Sequence, residues 1–183
     1  MPKINRNGVN IFYETHGEGP VVLLTHGFSA TSKMWHDQID SLSSDYCLVL
    51  WDMRGHGFSD YPEDINLYNE KETIEDILSI LDKLNVKKAN IGGMSLGGYM
   101  SLAFYKQFPE RVDSLIIIDT GPGFKNEDAR NNWNNYAIST AEKFELSGLD
   151  SLTGRSKEMD PKNHLNAKGL SKAARGMLTQ HDD

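Results

Sequence analysis

Residues 93–97 read Gly-Met-Ser-Leu-Gly and match the pattern G-x-S-x-G, in which a serine could act as a nucleophile. The serine of this pattern occupies a strained turn between a strand and a helix, and the flanking glycines avoid collisions there. Ser95 would then lie at a helix N-terminus, where backbone N–H groups and the helix dipole favour developing negative charge. We therefore predict that Ser95 is a nucleophile, that the Leu96 N–H stabilises an oxyanion, and that Gly98 lets the helix pack tightly on the sheet.

A second motif, Thr-His-Gly-Phe at residues 25–28, ends a strongly apolar run. A glycine at such a strand end lets the backbone turn and present an N–H, here that of Phe28, to a carbonyl oxygen. Together with Leu96, this donor would stabilise a tetrahedral intermediate. His26 could act as a general base, but we favour a histidine that fixes its own loop by hydrogen bonds.

A third motif, Asp-Met-Arg-Gly-His-Gly-Phe-Ser at residues 52–59, follows another apolar run. Its glycines suit a tight loop, which Asp52 and Arg54 could brace by a charge-assisted hydrogen bond. A phosphate-binding loop is the alternative. The motif lacks the Lys-Ser/Thr ending of a P-loop and is not a G-x-G-x-x-G that opens a helix, so we favour structural bracing.

Strand-like segments predict the sheet that would carry these motifs. Residues 9–14 alternate between apolar and polar side chains, and the turn-forming residues 17–20 suggest a hairpin with the next run. A weaker strand over 89–93 would lead into Ser95. Three other apolar runs do not alternate, which is typical of strands covered on both faces. These runs are residues 21–25, 46–51 and 115–118.

Helical patterns separate these strands. Asn69 and Glu72 have the spacing of a capping pair, and the helix after Ser95 would continue until Pro109 ends it. Apolar residues after Asn69 recur on one helical face, at Ile74, Ile77, Leu78, Leu81 and Leu84. Strands that alternate with helices predict an α/β fold with a parallel sheet and right-handed crossovers.

From residue 124 onward the composition changes, since Ile138 is the only valine or isoleucine after Ile118. One predicted helical face contains Ala129, Trp133, Tyr136, Ala137, Ala141 and Phe144, and a second contains Ala167, Leu170, Ala173, Ala174, Met177 and Leu178. We predict that residues 1–123 are the N-terminal part of the core and that residues 124–183 are a helical cap segment. The C-terminal part of the core is expected to be absent.

Composition narrows the classes of partner. The chain has 19 basic and 26 acidic residues and a formal charge of −7, without a basic stripe, so we expect neither nucleic acid nor a membrane as partner. Cys47 is the single cysteine, which excludes an intramolecular disulfide and a cysteine-based zinc site. The apolar runs are too short to cross a bilayer, and the N-terminus lacks the apolar core of a signal peptide. We expect a soluble cytoplasmic protein.

The three motifs, in this order, resemble the α/β-hydrolase superfamily, and within it the branch of small esterases, enol-lactonases and cofactor-free haloperoxidases. The resemblance covers residues 8–123 well and residues 124–183 more loosely. It implies a doubly wound, mostly parallel sheet, truncated before its last strands, with a helical cap segment. It also implies Ser95 as nucleophile and Phe28 and Leu96 as oxyanion donors, with no metal or organic cofactor. Relatives with an aspartate nucleophile are disfavoured, because a serine occupies that position.

The resemblance implies hydrolysis of a small carboxylic ester or lactone through an acyl-serine intermediate. Its acid and histidine come after later strands, whereas after Ser95 this chain has only His164 and His181, neither where the base is expected. Asp119 is an alternative acid, although we favour a hinge or cap residue. We therefore expect a serine-hydrolase front half without its catalytic back half, and little turnover from the chain alone.

Two other functions stay open, namely a non-catalytic binding protein on this scaffold and a cofactor-free perhydrolase or haloperoxidase that uses the same serine. Truncation would also leave an unpaired sheet edge, through which we expect the chain to self-associate.

Overall fold

The computed structural model describes residues 2–177, which form a six-stranded sheet in the order β1-β2-β4-β3-β5-β6. The strands are β1 (Lys3–Arg6), β2 (Val9–His16), β3 (Val21–Thr25), β4 (Cys47–Trp51), β5 (Ala89–Met94) and β6 (Val112–Ile118). The α-helices are α1 (Ile39–Leu42), α2 (Glu70–Lys83), α3 (Leu96–Gln107), α4 (Glu127–Ser147) and α5 (Ala167–Gly176). Short 3-10 turns cover Ser32–Gln38, Ile65–Leu67, Pro109–Arg111, Gly148–Leu152, Lys157–Met159 and Pro161–Asn163.

The central strands are buried on both faces, as predicted. Leu23 of β3 and Val49 of β4 pack into a core with α2 and α3, while Leu24 and Leu50 point to the other face, towards Trp35. Strands β3, β4, β5 and β6 pair in parallel, whereas β1 and β2 are antiparallel to their neighbours. The predicted doubly wound, mostly parallel α/β sheet is confirmed.

The predicted hairpin between β2 and β3 is wrong. Strand β2 lies between β1 and β4, and β3 lies between β4 and β5. The reason is burial: β3 is apolar on both faces and takes a central position, whereas the alternating β2 can lie nearer the edge. The turn at residues 17–20 therefore leads from the edge of the sheet to its centre.

Helix α2 begins at the predicted cap, because the Asn69 side chain accepts a hydrogen bond of 2.8 Å from the Glu72 N–H. The Glu72 carboxylate does not return this bond but pairs with Arg6 and Arg54. Helix α3 ends at Gln107, two residues before Pro109.

Helices α4 and α5 pack against each other and cover the turns that follow β3 and β5. Ala137, Ala141, Ala174 and Met177 form an apolar cluster that also contacts Phe28 and Leu96. The prediction for Tyr136 is wrong, because its side chain is exposed. The predicted Leu178 lies outside the described residues. Among residues 119–177 there is no strand, and no helix of the described chain is long and apolar enough to span a membrane.

Strand β6 forms one edge of the sheet and pairs only with β5 among the described strands. Its Ile117 and Ile118 are 37% and 40% exposed, so apolar side chains accompany the unpaired backbone groups. The prediction that residues 115–118 are covered on both faces is therefore wrong, because β6 is an edge strand and the described residues leave its end without cover. Edges of this kind template the pairing of further strands.

We expect this edge to make the chain self-associate, with light scattering reporting a species heavier than one chain. Ile117→Lys should shift the population towards the monomer, because a charged side chain on an edge strand disfavours pairing. Ile138→Lys, at a similarly exposed isoleucine of α4, is the control and should leave association unchanged. A stable monomer of the unmodified chain would contradict this prediction.

Candidate active site

Ser95 forms the turn between β5 and α3. Its φ of 51° and ψ of −117° lie in a region that residues other than glycine rarely adopt. The Ser95 N–H donates to the Ile118 carbonyl at 3.0 Å, which ties the turn to β6. The hydroxyl has no hydrogen-bond partner among residues 2–177, and the half-exposed side chain borders a cleft. This geometry matches the strained turn predicted from the sequence.

The glycines around Ser95 are required by close packing. A Cβ on Gly97 would lie 2.3 Å from the Thr25 carbonyl oxygen, and one on Gly93 would lie 2.5 Å from the Gly97 carbonyl carbon. A Cβ on Gly98 would lie 2.5 Å from the Thr120 side chain. The predicted tight packing of α3 on the sheet is therefore confirmed.

The loop after β3 lies beside Ser95, since a Cβ built on Gly27 would come within 3.7 Å of the Ser95 Cβ. Phe28 follows Gly27 directly, as Leu96 follows Ser95. Neither N–H donates to an acceptor among residues 2–177, so both can donate to a bound molecule. Their role as an oxyanion hole stays a prediction.

His26 fixes its own loop. Its Nε2 accepts the Met53 N–H at 3.0 Å, so the proton lies on Nδ1, which donates to the Gly27 carbonyl at 2.7 Å. Burial lowers the pKa of His26, which keeps the ring neutral. Both nitrogens are engaged, so the structure favours the bracing role over the general base.

The loop at residues 52–59 is braced, but not by the predicted bond between Asp52 and Arg54. Asp52 accepts the N–H groups of Ser32 at 2.7 Å and Phe58 at 2.8 Å. Arg54 instead makes two hydrogen bonds of 2.8 Å to Asp76 of α2, where the planar guanidinium matches the carboxylate. The Asp52 carboxylate thus holds the loop together, which agrees with a structural role.

His164 joins the segment after residue 124 to two loops of the core. Its Nδ1 accepts the Gly57 N–H at 3.2 Å, and its Nε2 donates to the Ser29 carbonyl at 3.1 Å. Burial is the main cause that lowers the pKa of His164 to about 4. The expectation that His164 is not the base agrees with these contacts, while His181 lies outside the described residues.

The neutral state of three buried histidines makes the fold sensitive to acid. Burial lowers the pKa of His26 and His164, and it lowers that of His56 well below its usual value. The unfolded chain, with a histidine pKa near 6.5, binds more protons than the folded chain below that pH. We expect the urea midpoint of unfolding to fall as pH drops from about 6.5 towards 4.

His164→Asn should flatten this pH dependence, because it removes one of the groups that titrates only after unfolding. His36→Gln is the control, since the His36 ring is partly exposed and pairs with Glu14. A urea midpoint that stays constant between pH 7 and pH 4.5 would contradict the prediction.

The cleft above Ser95 has a volume of about 830 Å³, within the range of small-molecule sites. Its lining includes Ser95, Leu96, Tyr99, Asp119, Phe124 and Trp133. None of the five histidines among residues 2–177 borders it. No group of three or more His, Cys, Asp or Glu in the described chain is arranged to hold a metal ion.

Asp119 lies next to Ser95, because the two residues follow the carboxyl ends of the neighbouring strands β5 and β6. Met94 and Ile118 are paired neighbours on β5 and β6, and each is followed by a residue with positive φ, 51° at Ser95 and 48° at Asp119. Asp119 is exposed and borders the cleft. Since no histidine of the described residues borders the cleft, a role for Asp119 as the acid stays a prediction.

The family of the chain follows from this sheet and this serine turn. A model of the α/β hydrolase fold family matches residues 20–177. The chain belongs to this family, a family of enzymes.

Three comparisons show which members it resembles. It is 33% identical over 150 residues to 3-oxoadipate enol-lactonase 1 of Acinetobacter baylyi, covering 81% of this chain and 53% of that protein. It is 33% identical over 114 residues to epoxide hydrolase 3 of Siraitia grosvenorii, covering 62% of this chain and 36% of the relative. An epoxide hydrolase structure from Bacillus megaterium shares the fold, with a TM-score of 0.79, 23% identity, and coverage of 95% of this chain and 71% of its own. The chain thus spans about half the length of the first relative.

Proposed function

We propose that the protein is a serine hydrolase of small carboxylic esters or lactones that works through an acyl-serine intermediate. The observation that carries the proposal is the strained turn at Ser95, whose hydroxyl has no partner among residues 2–177 and lies at a helix N-terminus beside a cleft. Similarity to a protein named as an enol-lactonase supports the substrate class.

In this mechanism the Ser95 Oγ attacks the carbonyl carbon while a histidine removes the hydroxyl proton. The N–H groups of Phe28 and Leu96 donate to the oxygen that becomes negative. The tetrahedral intermediate collapses to the acyl-serine, and the histidine returns the proton to the leaving alcohol. Water activated by the same base then releases the carboxylic acid and restores Ser95.

The base of this mechanism must come from outside residues 2–177, since no histidine of that range borders the cleft. Within residues 2–177, Asp119 is the candidate acid. It would accept a hydrogen bond from that histidine. We expect residues 2–177 by themselves to give little or no turnover, because a serine without a base stays a weak nucleophile.

The test is fluorophosphonate labelling of the chain, followed by intact-mass analysis and mapping of the adduct. We expect slow labelling of Ser95 that imidazole accelerates about tenfold or more, because free imidazole can act as the base that residues 2–177 do not place at the cleft. Ser95→Ala should abolish the adduct. Ser139→Ala, at another half-exposed serine, should leave it unchanged.

An adduct that forms equally in the Ser95→Ala variant would overturn the proposal. So would a folded chain whose Ser95 stays unlabelled at high imidazole concentration. That second result would favour a binding protein, the alternative suggested by the lack of a histidine around the cleft in residues 2–177.

A further inference from the structure

One wall of the Ser95 cleft is aromatic. The ring centroids of Phe124 and Trp133 are 5.7 Å apart, and those of Trp133 and Tyr136 are 5.8 Å apart, so the three rings form a row. Phe124 and Trp133 border the cleft, and Phe124 is 41% exposed. The Trp133 indole N–H donates to the Met177 carbonyl at 2.9 Å, which fixes the orientation of the ring.

The charged groups around the cleft do not favour an anionic ligand. Arg175 is engaged by Glu145, with N–O distances of 2.9 and 3.1 Å. Glu70 accepts a hydrogen bond from the Tyr99 hydroxyl at 2.6 Å and places a carboxyl group on the cleft wall. Asp119, which directly follows β6, adds a second exposed carboxylate, and Lys71 is the other cation that the described residues place in the lining. A neutral ligand would lose the least hydration free energy on entering this site.

We propose that Phe124 and Trp133 form a subsite for a planar unsaturated ring, and that the substrates of the Ser95 site are neutral aryl esters. Exposed rings gain more from an aromatic partner than from a saturated one of equal size, because edge and face charges are complementary. The assignment of the ester to this ring subsite rests on the proposed function, whereas the ring subsite itself rests on the cleft.

The test measures binding in the full chain carrying Ser95→Ala, so that no acylation occurs. Phenyl acetate, cyclohexyl acetate and benzoate are titrated, followed by tryptophan fluorescence and by saturation-transfer NMR of the ligand. Trp35 and Trp51 are buried, at 8% and 0% exposure, so quenching reports on Trp133. We expect phenyl acetate to bind about two- to tenfold more tightly than cyclohexyl acetate, with benzoate the weakest.

Trp133→Leu should remove the preference for the phenyl ring in the NMR titration. Phe124→Leu should reduce the preference for the phenyl ring. This variant replaces Trp133→Leu as the test if that variant does not fold, because Phe124 lies in an exposed turn. Tyr105→Leu, at an exposed aromatic residue of α3 away from the cleft, is the control and should keep the preference. Equal affinities for the two acetates, or a preference that survives both cleft variants, would overturn the proposal.

Fluorophosphonate labelling separates this result from the proposed function. A labelled Ser95 without a ring preference would contradict the aryl specificity alone. A ring preference without labelling would contradict the serine chemistry and leave the ring subsite in place.

Discussion

Replacing Asp76 by asparagine is expected to lower the free energy of unfolding by about 3 to 5 kcal/mol. Asp76 is fully buried and holds two guanidinium groups, that of Arg54 at 2.8 Å and that of Arg6 at 2.7 Å. Arg54 is only 2% exposed, and the variant removes its buried two-bond partner, so that only the less buried Glu72 carboxylate at 3.3 Å still pairs with it among the described residues. Urea unfolding followed by circular dichroism measures the change.

Asp82→Asn is the matched control on the same helix, because the Asp82 carboxylate is 61% exposed and pairs with Arg111 at the surface. Such pairs contribute about 0 to 1 kcal/mol, so this variant should unfold almost as the parent does. Equal losses in the two variants would show that the buried network around Arg54 does not stabilise the fold as we infer.

Gly97→Ala is expected to destabilise the chain by about 3 kcal/mol or more and to abolish labelling of Ser95. The added methyl group would meet the Thr25 and His26 carbonyl oxygens at 2.3 and 2.6 Å, and neither backbone atom can move without displacing the loop that carries Phe28. The same substitution therefore disturbs both the strained turn and the neighbouring loop. Urea unfolding and adduct mass report the two effects separately.

Gly121→Ala is the matched control, since a Cβ at Gly121 meets no atom within 4 Å. This variant should keep both the stability and the labelling of the parent. A stable, fully labelled Gly97→Ala chain would contradict the close approach of α3 to the end of β3.

The sequence predicts the serine turn well because the residues that the turn requires lie within one short motif. Gly93 and Gly97 are needed for the backbone around Ser95 to fit, and only glycine satisfies contacts of 2.3 to 2.6 Å. The central strands are similarly predictable, because a continuous apolar run such as residues 21–25 needs cover on both faces.

Long-range partners are harder to predict. Residues 52–59 indicate a braced loop, yet Arg54 bonds to Asp76, which lies 22 positions along the chain. A signal was present, since Asp76 lies between Ile74 and Ile77 on the buried face of α2, and a carboxylate there needs a cation. The position of β2 in the sheet had a weaker signal, namely its alternating pattern beside the continuous apolar run of β3.

Of the two aromatic residues that form the wall of the cleft, only Trp133 is predicted from the sequence. Trp133 is predicted on a helical face of the segment after residue 124, but a helical face alone does not say whether it meets the core or a cavity. Phe124 lies in the turn before α4, where no periodic pattern identifies it.

The hydrogen bond from the Ser95 N–H to the Ile118 carbonyl joins the Ser95 turn to the last residue of the edge strand. A polypeptide that pairs with β6 would contact the strand whose Ile118 carbonyl holds this turn. If docking alters the reactivity or ligand affinity of the turn, thermodynamic reciprocity requires that a ligand bound at Ser95 alter the docking affinity by the same factor. Strand β6 and Ser95 would then be coupled, so that self-association through β6 would depend on whether a ligand is bound at Ser95.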